Sequence, residues 1–165
     1  MLSDNAITFS DYEEGIDIPG TIGKLVKTYL HISEDGESAG VLPKFMTAGA
    51  ACADVAVPDR TYISPQCTVK IDLLISFHIP EGYKITMYPR SSLLVKKGLL
   101  SPVSIIDSDY RGHVHVVLSN ITNKGVTLEK GERVAQIELQ PVIKGIWPTA
   151  NQSRDQKGFG GTGTI

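Results

Sequence analysis

Val69-Lys70-Ile71-Asp72-Leu73-Leu74-Ile75-Ser76-Phe77, then the turn Pro80-Glu81-Gly82, then Tyr83-Lys84-Ile85-Thr86-Met87-Tyr88, is the stretch that decides the fold. The first run is short, apolar and rich in β-branched residues, and reads as one strand. The last alternates apolar and polar with a period of two, as a half-buried strand does. Outward from it the theme repeats. Lys24 to Ile32 reads as a strand before a polar loop through Gly40, and His113 to Asn120 and Val134 to Leu139 read as two more. One helix is predicted at Ser91-Ser92-Leu93-Leu94-Val95-Lys96-Lys97-Gly98, with hydroxyl N-cap candidates, cations in its last turn and a glycine stop. Many short strands between regular turn signals indicate an all-β sandwich or barrel rather than a βαβ protein.

The 165-residue length suits one domain with a proper core. Net charge is −2, so no global basic field argues for nucleic-acid binding. No apolar run is long enough to span a bilayer. The first twenty residues hold five acids and no Lys or Arg, against a secretory or transit signal. Cys52 and Cys67 form no CxxC pair, and a cytoplasmic, reducing setting is expected. The expected organisation is an acidic extension over 1–22, a β domain over 23–150 and a flexible C-terminal lid over 151–165.

Several segments carry chemistry. Pro89-Arg90-Ser91-Ser92 lies where a strand enters the helix, and uncapped N–H groups, hydroxyls and a guanidinium there favour an anion. Ile105-Ile106-Asp107-Ser108-Asp109-Tyr110-Arg111-Gly112 puts two carboxylates and a tyrosine in a turn between apolar strands. Asp107, beside Ile105 and Ile106, is less solvated than a surface carboxylate and can orient a water as general base, although turns also recruit Asp for backbone reasons. In the final segment, Arg154 to Gly163, four glycines surround Phe159. Phe159 offers a face to a nucleobase and Arg154 a fork to a phosphate, whereas the plainer reading is a frayed tail. His113 and His115 share a strand face, but no third ligand stands at metal-binding spacing, and a packed or exposed pair is expected. Cys52 is expected to be a buried small hydrophobe and Trp147 a packing residue.

Taken in order, these segments resemble the trimeric dUTP diphosphatases, the dUTPases. Gly49-Ala50-Ala51-Cys52-Ala53-Asp54-Val55 is similar to the first family motif, Pro89-Arg90-Ser91-Ser92-Leu93 to the second, and Ile106 to Gly112 to the third. Gly131-Glu132-Arg133-Val134-Ala135-Gln136 resembles the fourth, and Arg154 to Gly163 the fifth. The resemblance covers about residues 23–163 and implies a jelly-roll (distorted β-barrel) fold with one short helix and a mobile C-terminal arm. It also implies a homotrimer whose active sites are shared between subunits, with no stable nucleic-acid partner and no membrane. By resemblance, Asp107 activates the water that attacks the α-phosphate of dUTP, yielding dUMP and pyrophosphate, and so limits uracil in DNA and supplies dUMP for dTMP synthesis. Tyr110 lies against the deoxyribose; Arg90, Ser91 and Gln136 contact phosphates. Asp54 helps order the water shell of Mg²⁺. Phe159 stacks on uracil and Arg154 meets the γ-phosphate. Ser92, Ser101, Ser104, Ile106, Gly158, Gly160 and Thr162 complete the substrate-binding set.

The chain departs from the family pattern at several points. Cys52-Ala53 replaces Gly-Tyr or Gly-Leu, and Ser92 stands where the family has Gly. Ser101 and Ser104 replace Asn and Gly in the uracil-binding hairpin, and Asp155 and Lys157 replace glycines in the last motif. Arg90-Ser91-Ser92-Leu93 is closer to the dCTP deaminases, relatives of the same fold, but their catalytic Glu falls at Val117. A bifunctional deaminase/diphosphatase and a non-catalytic regulatory protein of this fold are the further alternatives. The expected location is the cytoplasm, or the host cytoplasm if the gene is viral.

Overall fold

The computed structural model describes residues 26–148; the acidic extension (1–22) and the C-terminal lid (151–165) lie outside the described residues. Among these residues the chain forms β1 (Lys27–Leu30), β2 (Ala53–Ala56), β3 (Thr61–Ile63), β4 (Thr68–Asp72), β5 (Ile75–His78) and β6 (Tyr83–Pro89). After these come α1 (Ser91–Lys97), β7 (Leu99–Leu100), β8 (Ser104–Ile106), β9 (His115–Asn120), β10 (Val126–Leu128) and β11 (Arg133–Pro141). All strand pairs are antiparallel, in sheets ordered β2-β11-β6-β8, β4-β9-β7, β1-β5 and β10-β3. The inner faces close over one core, where Leu73, Ile75, Phe77, Met87, Val116 and Leu118 are each at most 2% exposed. This is the expected all-β jelly-roll with one short helix.

The run 69–77 is not one strand. It breaks at Leu74, which takes a left-handed backbone (φ 52). The break has a physical cause: Asp72 Oδ1 accepts the Leu74 N–H at 2.8 Å, and the Leu74 carbonyl accepts the His31 N–H at 2.9 Å. β4 then pairs with β9 while β5 pairs with β1, so one apolar run turns a corner and serves two sheets. The first strand is also shorter than 24–32 suggests, with Ile32 joined only by an isolated bridge to Ala39. β9 begins at His115 rather than His113, and β11 extends beyond 134–139 at both ends.

The helix stops as expected. Gly98 is left-handed (φ 62) and its N–H reaches the carbonyls of Leu93 and Leu94. Its start differs: Arg90 is the N-cap residue, extended at φ −97 and ψ 122, and no side chain caps the first turn. Lys97, in the last turn, reaches Glu132 at 2.6 Å and the Thr127 carbonyl at 2.9 Å, tying α1 to the turn before β11.

Asn120, 1% exposed, closes the far end of the barrel. Its Nδ2 donates to the carbonyls of Ile63, Ser64 and Lys124 at 3.2, 3.1 and 2.7 Å, and its Oδ1 accepts from the Thr122 N–H and hydroxyl at 3.0 and 2.8 Å. Removing it strands several buried groups at once. Asn120→Ala should therefore lower the unfolding free energy by about 2–4 kcal/mol, read as a drop in the urea midpoint at unchanged m-value.

His31 and His115 are half-buried, and their pKa values are lowered chiefly by that burial, for His31 also by His113. Both imidazoles hold a proton more weakly folded than unfolded, so unfolding takes up protons below about pH 6.5. Their contribution to stability is whole above that pH and is lost as pH falls through it toward the lowered folded values. The urea midpoint should be flat from about pH 8 to 7 and decline below about pH 6.5, with the decline reduced in His115→Gln.

Candidate active site

The sequence-predicted residues fall into two groups on the same four-stranded sheet. The first gathers where β2, β11 and the β6–α1 junction meet. β11 lies between β2 and β6, so Gln136 stands opposite Asp54 on one side and Tyr88 on the other. The β2–β11 register shifts between Arg133 and Ala135, a bulge that aims Arg133 back at the carboxylate. Asp54 is bracketed by two guanidiniums: Arg90 Nε lies 3.3 Å from Oδ1 and Arg133 Nη1 lies 2.8 Å from Oδ2. Arg90 Nη1 also donates to the Arg133 carbonyl at 3.0 Å, and Gln136 Nε2 to the Pro89 carbonyl at 3.3 Å. The Asp54 side chain is only 10% exposed, so its charge is held by these partners rather than by bulk water.

Beside this cluster α1 begins, with exposed Ser91 and half-buried Ser92 in its uncapped first turn. Two guanidiniums against one carboxylate leave a net positive site, and the helix N-terminus has the same sign. The site suits a polyanion. Arg133 lies in the Gly131–Gln136 segment, where the sequence alone gives it no role. A low-exposure carboxylate needs a cationic partner, and that requirement is the signal that points to it.

The second group follows β8. Ile106, buried, pairs with Ile85, and Ser104 pairs with Met87. Asp107, half-buried, opens a turn in which the Tyr110 N–H reaches the Asp107 carbonyl at 3.1 Å. Arg111 Nη1 closes that turn on the carbonyls of Ser108 and Tyr110 at 2.7 and 3.0 Å. The Tyr110 hydroxyl donates to the His113 carbonyl at 2.8 Å, and its pKa is raised by burial and by the nearby Asp72 charge, so it stays a donor. A cleft of about 650 Å³ opens here, lined by Glu81, Lys84, Asp107, Asp109, Arg111 and Lys144 among others. Ser101, half-buried in the loop between β7 and β8, bonds its own neighbour, the Pro102 carbonyl, at 3.3 Å.

The chain does not bring the two groups together. Ile106 is level with Ile85, so Asp107 is level with Lys84, while Arg90 lies six residues further along the same line. At about 3.4 Å per residue that is roughly 20 Å. The remaining residues singled out from the sequence divide. His113 and His115 do not form a metal site among the described residues; both approach Asp72 Oδ2, at 2.9 and 3.8 Å. Cys52 is half-buried rather than buried, its thiol pKa pushed up mainly by partial desolvation. Trp147 does not pack into the core and is 78% exposed in the single chain. Val117, where a deaminase needs its carboxylate, pairs with Lys70 across β4 and β9. Arg154, Gly158, Phe159, Gly160 and Thr162 lie outside the described residues.

Comparison with known proteins agrees with this geometry. The dUTPase family model matches residues 39–164. A deoxyuridine 5′-triphosphate nucleotidohydrolase of Hydrogenobaculum is 40% identical over 129 residues, covering 74% of this chain and 90% of that protein. One of Chlamydia pneumoniae is 36% identical over 136 residues, covering 77% and 94%. Among solved structures, a Staphylococcus bacteriophage 80alpha dUTPase variant with dUpNHpp superposes with a TM-score of 0.67 at 20% identity, covering 86% of this chain and 100% of that one. An Asp-to-Asn mutant of the dUTPase from phage phi11 of S. aureus, described as coordinating a structural Mg(II) ion, gives 0.66 at 16% identity, covering 79% and 99%. With its motifs in order, its sheet built to hold them and relatives matched over most of their length, the chain belongs to the dUTPase family.

Proposed function

We propose that this protein hydrolyses dUTP to dUMP and pyrophosphate, limiting uracil in DNA and supplying dUMP for dTMP synthesis. The observation that carries this reading, within the family, is the cationic cluster of Arg90 and Arg133 around Asp54 beside the open first turn of α1. Arg90, Gln136, Ser91 and Ser92 hold the triphosphate there and offset the charge that builds on it as the α-phosphate is attacked. Asp107 orients the attacking water and takes its proton, a contribution of about 10²–10⁴-fold for a positioned general base. Tyr110 lies flat against the deoxyribose, where a ribose 2′-hydroxyl does not fit. Ser101, Ser104 and Ile106 line the base side, and Phe159 and Arg154 close over uracil and the γ-phosphate.

The residues present fit Mg²⁺ held through water. The arginines use two of the roughly four lone-pair sites on the Asp54 carboxylate, leaving acceptors for the water shell of an ion carried on the triphosphate. Such an ion neutralises phosphate charge when bound.

A homotrimer with sites shared between subunits goes with this reading. Roughly 20 Å separates Asp107 from Arg90 within one chain, so a second copy has to supply one half of each site. Leu94, Val95, Ile143, Ile146 and Trp147 are exposed in the single chain, between 43% and 104%, and offer apolar surface for such contacts. A cytoplasmic, reducing setting goes with this reading, in which Cys52 and Cys67 stay free thiols.

With Mg²⁺ and each deoxynucleoside triphosphate in turn, pyrophosphate should appear from dUTP alone. Release of ammonia from dCTP would instead indicate a deaminase, and no turnover a binding protein. Asp107→Asn should bind a non-hydrolysable dUTP analogue within about threefold of the parent while kcat falls by about 10²–10⁴; an unchanged kcat removes Asp107 from the role of base.

A further inference from the structure

The turn that carries Asp107 and Tyr110 is anchored to the barrel through a residue far away in sequence. The Tyr110 ring folds back over Gly112, where an added Cβ would sit 2.6 Å from the hydroxyl oxygen and 2.8 Å from Cζ, so the ring occupies space that only glycine leaves open. The same hydroxyl donates to the His113 carbonyl. Tyr110 is therefore tied to His113 at its hydroxyl while its ring packs against the core.

His113 is placed by Asp72, at the end of β4. An ionised carboxylate only accepts, so His113 Nδ1 carries the proton and donates to Asp72 Oδ2 at 2.9 Å. The other oxygen of Asp72 holds the Leu74 N–H at the left-handed corner between β4 and β5. Asp72 is thus fixed by the backbone it stabilises, and it passes that rigidity across the sheet. On its other side the His113 ring meets the His31 ring at 4.2 Å between centroids, and His31 Nε2 bonds the Ser76 hydroxyl at 2.9 Å. His115 Nε2 approaches Asp72 Oδ2 at 3.8 Å.

We propose that Asp72 is a positioning residue for sugar discrimination: through His113 it sets the plane of the Tyr110 ring, and so how firmly the site prefers deoxyribose to ribose. This rests on the reading of Tyr110 as the sugar platform. Asp72 touches no substrate itself. It acts by removing the freedom of a side chain that does, and small displacements of such groups carry large kinetic effects.

The test compares the parent with Asp72→Ala, Asp72→Asn and Tyr110→Phe, using dUTP and UTP with Mg²⁺. Asp72→Ala should raise KM for dUTP and narrow the dUTP-over-UTP preference in kcat/KM by roughly tenfold. Asp72→Asn has one acceptor oxygen for the two donors that Asp72 holds, the Leu74 N–H and His113 Nδ1–H, so its preference should fall between those of the parent and Asp72→Ala. The double variant Asp72→Ala/Tyr110→Phe should be little worse than Tyr110→Phe alone, because the link is already cut. A purely structural Asp72 would lower turnover of both nucleotides in proportion and add to Tyr110→Phe, and that result overturns the proposal. Amide exchange over residues 107–113 decides the anchoring without reference to substrate: it should rise in Asp72→Ala, and rise less in Asp72→Asn. Unchanged exchange in Asp72→Ala contradicts the proposal even in an active enzyme. Failure of the parent to cleave dUTP counts against the proposed function instead, with the exchange result still deciding the anchor.

Discussion

The seven-residue antiparallel ladder between β6 and β11 is the constraint on which the remainder of the structure depends. It is the longest pairing among the described residues, and both groups of site residues hang from its ends. At one end β6 runs into α1 while β11 begins at Arg133, which brings Arg90, Arg133 and Gln136 to Asp54 on the neighbouring strand. At the other, β8 pairs back along β6 and delivers Asp107. Because the ladder is continuous, Asp107 and the Arg90–Arg133 cluster stand toward opposite ends of one sheet. On the proposed function, that one geometric fact gives a stable sheet and a site that a second copy completes.

Within the cationic end, the Asp54 bracket both builds and restrains. Removing either arginine would leave a carboxylate of low exposure short of a partner, and the cost of an uncompensated charge exceeds the worth of the pair itself. The same bracket orients two guanidiniums before any ligand arrives, so little reorganisation is left for binding. Lys97, by its contacts with Glu132 and the Thr127 carbonyl, fixes the far end of α1 to the turn that precedes Arg133. Helix and strand are therefore held in register at both ends of the cluster.

Much of this was legible from the amino-acid order. Alternation from Tyr83 to Tyr88 marks β6, and Gly98 after two lysines marks the end of α1, because both signals are local and physical. The turn at Asp107 to Gly112 is equally local. What escaped depends on distant contacts. Leu73 and Leu74 read as the middle of one strand, since nothing in an apolar run announces that Asp72 will seize the Leu74 N–H and turn a corner. Arg133 stood in a quoted motif without a role because its partner is 79 residues away in sequence. Trp147 reads as a packing residue, but it is 78% exposed, because its position after the last strand carries it off the core. The hydroxyl cap failed for a related reason: Arg90 takes the N-cap position while its side chain is drawn to Asp54.

The central claim is that each working site takes its base from one copy and its cationic cluster from another. Complementation between two inactive variants tests it most directly. Asp107→Asn and Arg90→Gln chains, carrying different tags, are co-expressed and the mixed oligomers are assayed for dUTP cleavage. Each variant alone should be nearly inactive, while a one-to-one mixture should recover about a quarter of the parent rate, the chance that a shared site draws both intact halves. Mixed oligomers that remain as inactive as the separate variants would contradict the account.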